Sequence, residues 1–98
     1  DFSSCTFKGV KLSFAEMVGS ELKDAFCKGL ELEETNLEGA DLTYANLEGA
    51  NLKNAFLLEA NLHGANFSKA NLKDAYLIDA NTSKALLKEA ILENTILE

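Results

Sequence analysis

Few side chains of this 98-residue chain have the type and spacing needed for chemistry. His63 is the single histidine, and no cysteine lies near it in the sequence, so the nitrogen and sulfur ligands of a zinc site are not assembled. Adjacent acids such as Glu33 and Glu34 could transfer protons only if burial shifted the pKa of one of them. Cys5 and Cys27 are too few for a disulfide-stapled secreted domain. We predict no catalytic residue, no metal site and no cofactor.

A five-residue period runs through the whole chain and must position any functional side chain. Every fifth residue from Phe2 onward is apolar, with Thr82 as the exception. The residue two places earlier is small, such as Ala40 or Ala45, except at Val10 and Leu30. Residues two apart in an extended segment point to the same side, whereas this period would scatter the apolar residues around an α-helix. Glycines recur between the segments, where a positive φ is useful. The pattern predicts short extended segments joined by turns.

The repeated motif reads Ala-Asp-Leu-Thr-Tyr at residues 40–44 and Ala-Asn-Leu-Glu-Gly at residues 45–49. It resembles the pentapeptide-repeat family, and the resemblance covers essentially the whole chain. It implies an all-β fold, a right-handed quadrilateral β-helix (solenoid) of about five coils with four pentapeptides each, for the 98 residues. The chain starts in mid-pattern at Asp1. We therefore interpret residues 1–98 as a single β-helix domain that is truncated or uncapped at one or both ends.

The implied interior assigns an environment to the unusual residues of the repeat. Thr82 occupies an inward position, where we expect its hydroxyl to bond to the backbone. Cys5 and Cys27 also occupy inward positions and are predicted to be buried apolar thiols without a disulfide. His63 follows the inward Leu62, so we predict an outward, solvated side chain.

The outward positions of a twenty-residue coil stack into columns, and one side of the implied rod then carries an apolar block that no other side shows. Its members are Phe56, Leu58, Tyr76, Ile78 and Ile96. Large exposed apolar patches usually mark contacts, so we interpret the block as a protein–protein interface. It could be a homodimer seam, with the terminal coil as another, or the seat of a flanking segment. The alternative is cross-strand stacking that only stabilises the sheet.

The net charge of −7 makes direct nucleic-acid binding through clustered Lys and Arg unexpected. The acids are concentrated between residues 21 and 40, with a candidate acidic patch formed by Glu31, Glu33, Glu34 and Glu38. No apolar run approaches the roughly 18–20 residues of a membrane span, and no signal peptide is recognisable. We expect a cytoplasmic protein that does not enter a membrane.

Two functions are compatible with these features. The first is a non-enzymatic interaction or scaffolding rod with a protein partner that the sequence does not identify. The second follows from the resemblance, because some pentapeptide-repeat proteins mimic duplex DNA, modulate DNA gyrase and confer fluoroquinolone resistance. A DNA duplex would carry about 14 charges over the roughly 24 Å of this rod, whereas the chain nets −7 and interleaves lysines such as Lys53. We therefore favour the interaction rod.

Overall fold

The computed structural model describes residues 1–7 and 10–97, and none of these residues is helical. The backbone forms single-residue β-bridges instead of long strands. The bridging residues are Thr6 and every fifth residue after it up to Ile96. Each bridge is parallel and joins a residue to the one twenty positions later, as Phe56 to Tyr76 and Tyr76 to Ile96. The chain is a β-helix in which units twenty residues apart stack on one another.

Hydrogen bonds between successive coils use most of the backbone of each five-residue unit. In the unit 55–59, the amide of Leu57 donates to the carbonyl of Tyr76 at 2.7 Å, and the amide of Glu59 donates to that of Ile78 at 2.9 Å. The turn closes when the amide of Ala60 donates to the carbonyl of Leu57 at 3.1 Å. Because buried backbone groups must be paired, this arrangement locks the register of each coil to the next.

The predicted inward positions form the core. Leucines such as Leu37, Leu47 and Leu57 are fully buried, the alanines two residues before them pack alongside, and Phe67 is the largest fully buried side chain. Full burial of one such side chain contributes on the order of 1.5–3 kcal/mol of transfer free energy. Burial also raises the pKa of the Cys27 thiol to about 11, so this cysteine stays neutral in the folded protein.

The turn position adopts the left-handed conformation in every described unit. The predicted positive φ is confirmed for five glycines, with values between 66° and 68°, while Gly9 lies outside the described residues. Other residue types take the same conformation, including Tyr44 at 57° and Glu59 at 58°. A side chain in this region is strained by roughly 1–2 kcal/mol, which the pairing between coils must offset.

Some inward positions near the two ends are exposed, and here the predictions for Cys5 and Thr82 are wrong. Cys5 is exposed whereas Cys27 is buried. Thr82 is exposed and lines an open hollow of about 240 Å³ together with Leu87 and Leu92. An inward side chain in a β-helix is covered by the coils on both sides of it, and within residues 10–97 the last coil has a neighbour on one side only. The expected hydroxyl-to-backbone bond is instead made by buried Thr35, which donates to the carbonyl of Leu12 at 2.7 Å.

Candidate protein-interaction face

Units twenty residues apart share one side of the β-helix, which gives four columns of outward side chains. We call the column that contains the predicted apolar block the apolar face. The next column along the chain contains His63, and we call it the ladder face. The described units of the apolar face are 15–19, 35–39, 55–59, 75–79 and 95–97. The described units of the ladder face are 1–4, 20–24, 40–44, 60–64 and 80–84.

The structure brings the five residues of the predicted apolar block together. The rings of Phe56 and Tyr76 stack in parallel, with centroids 5.0 Å apart and an interplanar angle of 2°. Tyr76 pairs in turn with Ile96, while Leu58 and Ile78 lie at the equivalent second outward position of successive coils. Phe56 is 39% exposed, and the other four residues are half-buried.

The inward Leu87, Leu92 and Leu97 of the last coil are exposed together around the open hollow. At outward positions, exposed apolar side chains also occur on other columns, but each is isolated within its column. Phe26 is 55% exposed, and its bridging partners in the two adjacent coils are Thr6 and Asn46. Leu86 and Ile91 are exposed in the last coil, each on a different column and above an asparagine. A contiguous apolar block across three coils is therefore a property of the apolar face within the described residues.

The residues of the predicted acidic patch are divided between two columns. Glu31, Glu33 and Glu34 belong to the unit 30–34, whereas Glu38 belongs to the apolar face. The Glu31 carboxylate accepts a hydrogen bond from the Asn51 side chain at 3.1 Å, which ties it to the next coil. The two columns are neighbours, joined by the turn at Glu34, and a role for the four carboxylates as a patch stays a prediction.

His63 is part of a hydrogen-bonded column that we call the polar ladder, formed by Tyr44, His63, Ser83 and Asn81. The Ser83 hydroxyl lies 2.6 Å from His63 Nδ1 and donates to Asn81 Oδ1 at 2.8 Å. Because the hydroxyl hydrogen of Ser83 is engaged by Asn81, the tautomer that satisfies both contacts of His63 is the one with the hydrogen on Nδ1. In that tautomer Nε2 accepts from the Tyr44 hydroxyl, which lies 3.2 Å away. The predicted outward position of His63 agrees with the structure, but the side chain is half-buried and is hydrogen-bonded to its neighbours in the column.

Ser83 and His63 are the residue types of a nucleophile and its general base, but their hydrogen bonds do not have the direction that this chemistry requires. A general base must accept the proton of the nucleophile, whereas here the Ser83 hydroxyl donates to Asn81 Oδ1. The pair also lies on an outward, exposed surface. Within residues 1–7 and 10–97, no three His, Cys, Asp or Glu side chains come close enough to hold a metal ion, and no helix has the length and hydropathy of a membrane span.

The sequence model of pentapeptide repeats matches the chain in 8 copies, over residues 1–39, 31–68, 40–77 and 70–98. The chain belongs to the pentapeptide-repeat family. The resemblance seen in the sequence is thus confirmed, and with it a β-helical solenoid. Among curated proteins, no match to the chain was found.

Solved structures of other pentapeptide-repeat proteins share this fold. HetL from Nostoc sp. strain PCC 7120, a protein involved in heterocyst differentiation regulation, is 34% identical with a TM-score of 0.86 over 89% of this chain. Rfr23 from Cyanothece 51142 is 38% identical with a TM-score of 0.64 over 94% of this chain. The chain spans 40% of the HetL chain and 67% of the Rfr23 chain.

QnrB1, a plasmid-mediated fluoroquinolone resistance protein, is a more distant relative. It is 18% identical with a TM-score of 0.42 over 89% of this chain. A likeness at this level carries no argument about function, so the choice between the two predicted functions depends on the surface of this chain.

Proposed function

We propose that this pentapeptide-repeat chain is a non-enzymatic rod that binds another protein through its apolar face. The observation that carries the proposal is the parallel stack of Phe56 on Tyr76, which Leu58, Ile78 and Ile96 extend into one block. The stack lies on a rigid backbone and leaves part of Phe56 open to solvent. Contiguous apolar surface of this kind usually marks a protein contact.

The geometry of the rod supports a surface function. We take its finer form to be a right-handed quadrilateral β-helix of about five coils, as the resemblance implies and as the pairing of residues twenty positions apart favours. The interior of the middle coils is filled by leucine and alanine side chains, and this leaves the outside of the rod to bind a partner.

Stability alone does not explain the apolar block. At bridging positions with asparagine or aspartate the side chain caps its own unit, as when Asn36 Oδ1 accepts from the amide of Glu38 at 3.1 Å. Phe56 and Tyr76 have no oxygen that can accept from the amide two residues later. Two missing hydrogen bonds cost about 1–3 kcal/mol together, and the one aromatic pair returns about 0.5–1.5 kcal/mol beyond the area that it buries. On these magnitudes the stack brings little net gain in folding stability over asparagine at the same positions, which favours a binding role for the apolar surface.

The acidic residues of the surface do not favour the DNA-mimic alternative. A mimic needs a dense, single-sign array of charges. In the column of units 10–14, 30–34, 50–54, 70–74 and 90–94, lysines lie among the acids, and Lys73 forms an ion pair with Glu93 at 3.8 Å. A gyrase supercoiling assay tests the alternative: we expect no inhibition and no protection from a fluoroquinolone at micromolar protein.

The interaction function is tested by adding charge to the apolar face. Tyr76→Lys with Ile78→Lys places two lysines in the block, and Asn66→Lys with Ser68→Lys places two lysines at the equivalent positions of another column. We expect proteins from a lysate of the source organism to bind the wild type and the control but not the block variant. If both variants keep the same bound proteins and the same circular dichroism spectrum, the block serves only the stability of the sheet.

A further inference from the structure

The charges of the apolar face indicate which chemistry its partner must have. Apart from its apolar block, the described part of this face carries four acidic side chains and neither lysine nor arginine. The acidic side chains are Glu16, Glu38, Glu59 and Asp79. Each of the other three columns mixes signs and holds at least two described lysines. Those lysines are Lys23 and Lys84 on the ladder face, Lys28, Lys69 and Lys88 on the next column, and Lys11, Lys53 and Lys73 on the fourth.

The acids border the apolar block at positions that the backbone fixes. Glu59 and Asp79 occupy the turns directly after Leu58 and Ile78, both with φ close to 60°, and both are exposed. Glu38 lies one coil before Leu58 at the same position of the repeat. The carboxylates therefore form a rim beside the apolar centre, held on a frame whose turns are hydrogen-bonded from coil to coil.

No basic side chain of the described residues neutralises this rim. The ion pair of the described residues joins Lys73 to Glu93 on a different column. Glu16 accepts a hydrogen bond at 3.2 Å from the Asn36 side chain, which is neutral. The four carboxylates keep their charge available for a binding partner.

We propose that the apolar face binds a protein surface with an apolar centre framed by lysine or arginine side chains; this inference depends on the proposed function. The apolar centre contributes most of the affinity, because fully desolvated apolar contacts at the middle of an interface do so. The rim pairs contribute to the association rate and to specificity, because exposed charge pairs act mainly through electrostatic steering.

The same charges argue against a second copy of this chain as the partner. In a twofold symmetric contact the same surface of both copies meets. Two apolar faces would then bring two acidic rims together without a single lysine among their described residues. Juxtaposed like charges oppose association, so a different protein with basic residues is the better occupant.

Three short fluorescent peptides test the inference, with binding followed by fluorescence anisotropy. The first alternates leucine and lysine, the second alternates leucine and glutamate, and the third alternates serine and lysine. We expect the leucine–lysine peptide to bind at least tenfold more tightly than either of the others at low salt. Its affinity should fall as the salt concentration rises, because salt screens the exposed rim charges.

Matched variants assign this binding to the apolar face. Phe56→Ser should reduce binding of the leucine–lysine peptide by about tenfold or more, whereas Phe26→Ser, at an isolated and more exposed bridging position, should leave it unchanged. Glu38→Gln, Glu59→Gln and Asp79→Asn together remove three rim charges and should weaken binding by about tenfold. The control removes three charges from another column, by Glu31→Gln, Glu33→Gln and Glu34→Gln, and should change the affinity less than twofold.

Several outcomes would overturn the inference. Equal binding of the leucine–glutamate peptide, or an equal effect of the two triple variants, would show that the rim selects no cationic partner. A dimer in sedimentation experiments that Phe56→Ser dissociates would make a second copy the occupant. If no peptide binds while the lysine variants of the block still lose their lysate partners, the partner chemistry is wrong and the interaction function stands. If those partners are also retained, both proposals fail.

Discussion

The apolar face and the ladder face share one backbone and differ in what their outward side chains leave unsatisfied. On the ladder face, Tyr44, His63, Ser83 and Asn81 bond to one another, so few of their polar groups need an external partner. On the apolar face, Phe56 and Tyr76 stack but remain partly open, beside carboxylates that form no ion pair with any described residue. The comparison indicates that the same β-helical backbone can carry one side whose polar side chains bond to each other and another side whose side chains stay available for a partner.

The first prediction tests whether the buried core contributes equally to stability behind the two faces. Leu57 lies behind the apolar face and Leu62 behind the ladder face, and both are fully buried. We expect Leu57→Ala and Leu62→Ala each to lower the free energy of unfolding by about 2–5 kcal/mol, because each leaves a cavity in a packed core. Urea denaturation measures both values, and a difference above about 1 kcal/mol would show that the frame itself differs between the faces.

The burial of these two leucines can be predicted from the sequence, because the five-residue period alone places them at inward positions. From Leu22 to Leu77, each inward residue is covered by coils on both sides, so its place in the repeat is enough to predict its burial. Cys5 and Thr82 have the same place in the repeat but lie near an end. Their exposure depends on how many coils cover them, which the repeat pattern does not encode.

The outward side chains could be predicted to a smaller extent. The apolar block and the His63–Ser83 pair both follow from stacking residues twenty positions apart, and the second was missed because His63 was considered without its neighbour in the column. The bond from Tyr44 to His63 could not be predicted in this way. It joins positions nineteen residues apart and requires the tyrosine ring to fold over Gly64, which depends on side-chain rotamers.

The second prediction breaks the polar ladder at Gly64. A Cβ on Gly64 would overlap the Tyr44 ring, whereas a Cβ on Gly39 would meet no atom within 4 Å. Both glycines have a φ near 67°, so alanine at either position costs about 1–2 kcal/mol of backbone strain. We expect Gly64→Ala to cost about 1 kcal/mol more than Gly39→Ala, because the displaced tyrosine loses its bond to His63.

A double-mutant cycle separates that bond from the strain. In a Tyr44→Ala background, thermal or urea unfolding should show the same cost for Gly64→Ala as for Gly39→Ala. Nuclear magnetic resonance of the His63 ring should report the loss of the Tyr44 contact in the single variant. An excess cost that persists without Tyr44 would mean that the turn at Gly64 differs for a reason unrelated to the ladder.

The third prediction concerns the pH dependence of the ladder face and has the smallest effect. The hydroxyl and then the amide of Thr43 donate to the Asp41 carboxylate, and these bonds lower the pKa of Asp41 in the folded protein. A lowered pKa means that the folded state favours the ionised form, so the stabilisation is complete above the unfolded value of about 3.9 and disappears as the pH falls through the folded pKa. The carboxylate is only half-buried, so the contribution is below about 1 kcal/mol.

Thr43→Val removes the hydroxyl bond, which is the largest cause of the lowered pKa, and should move the pKa of Asp41 upward in a carbon-detected titration. An unchanged pKa would show that the hydrogen bond from the Thr43 amide alone lowers the pKa of Asp41. The side-chain hydrogen bonds of the ladder face would then contribute less to stability than their geometry indicates.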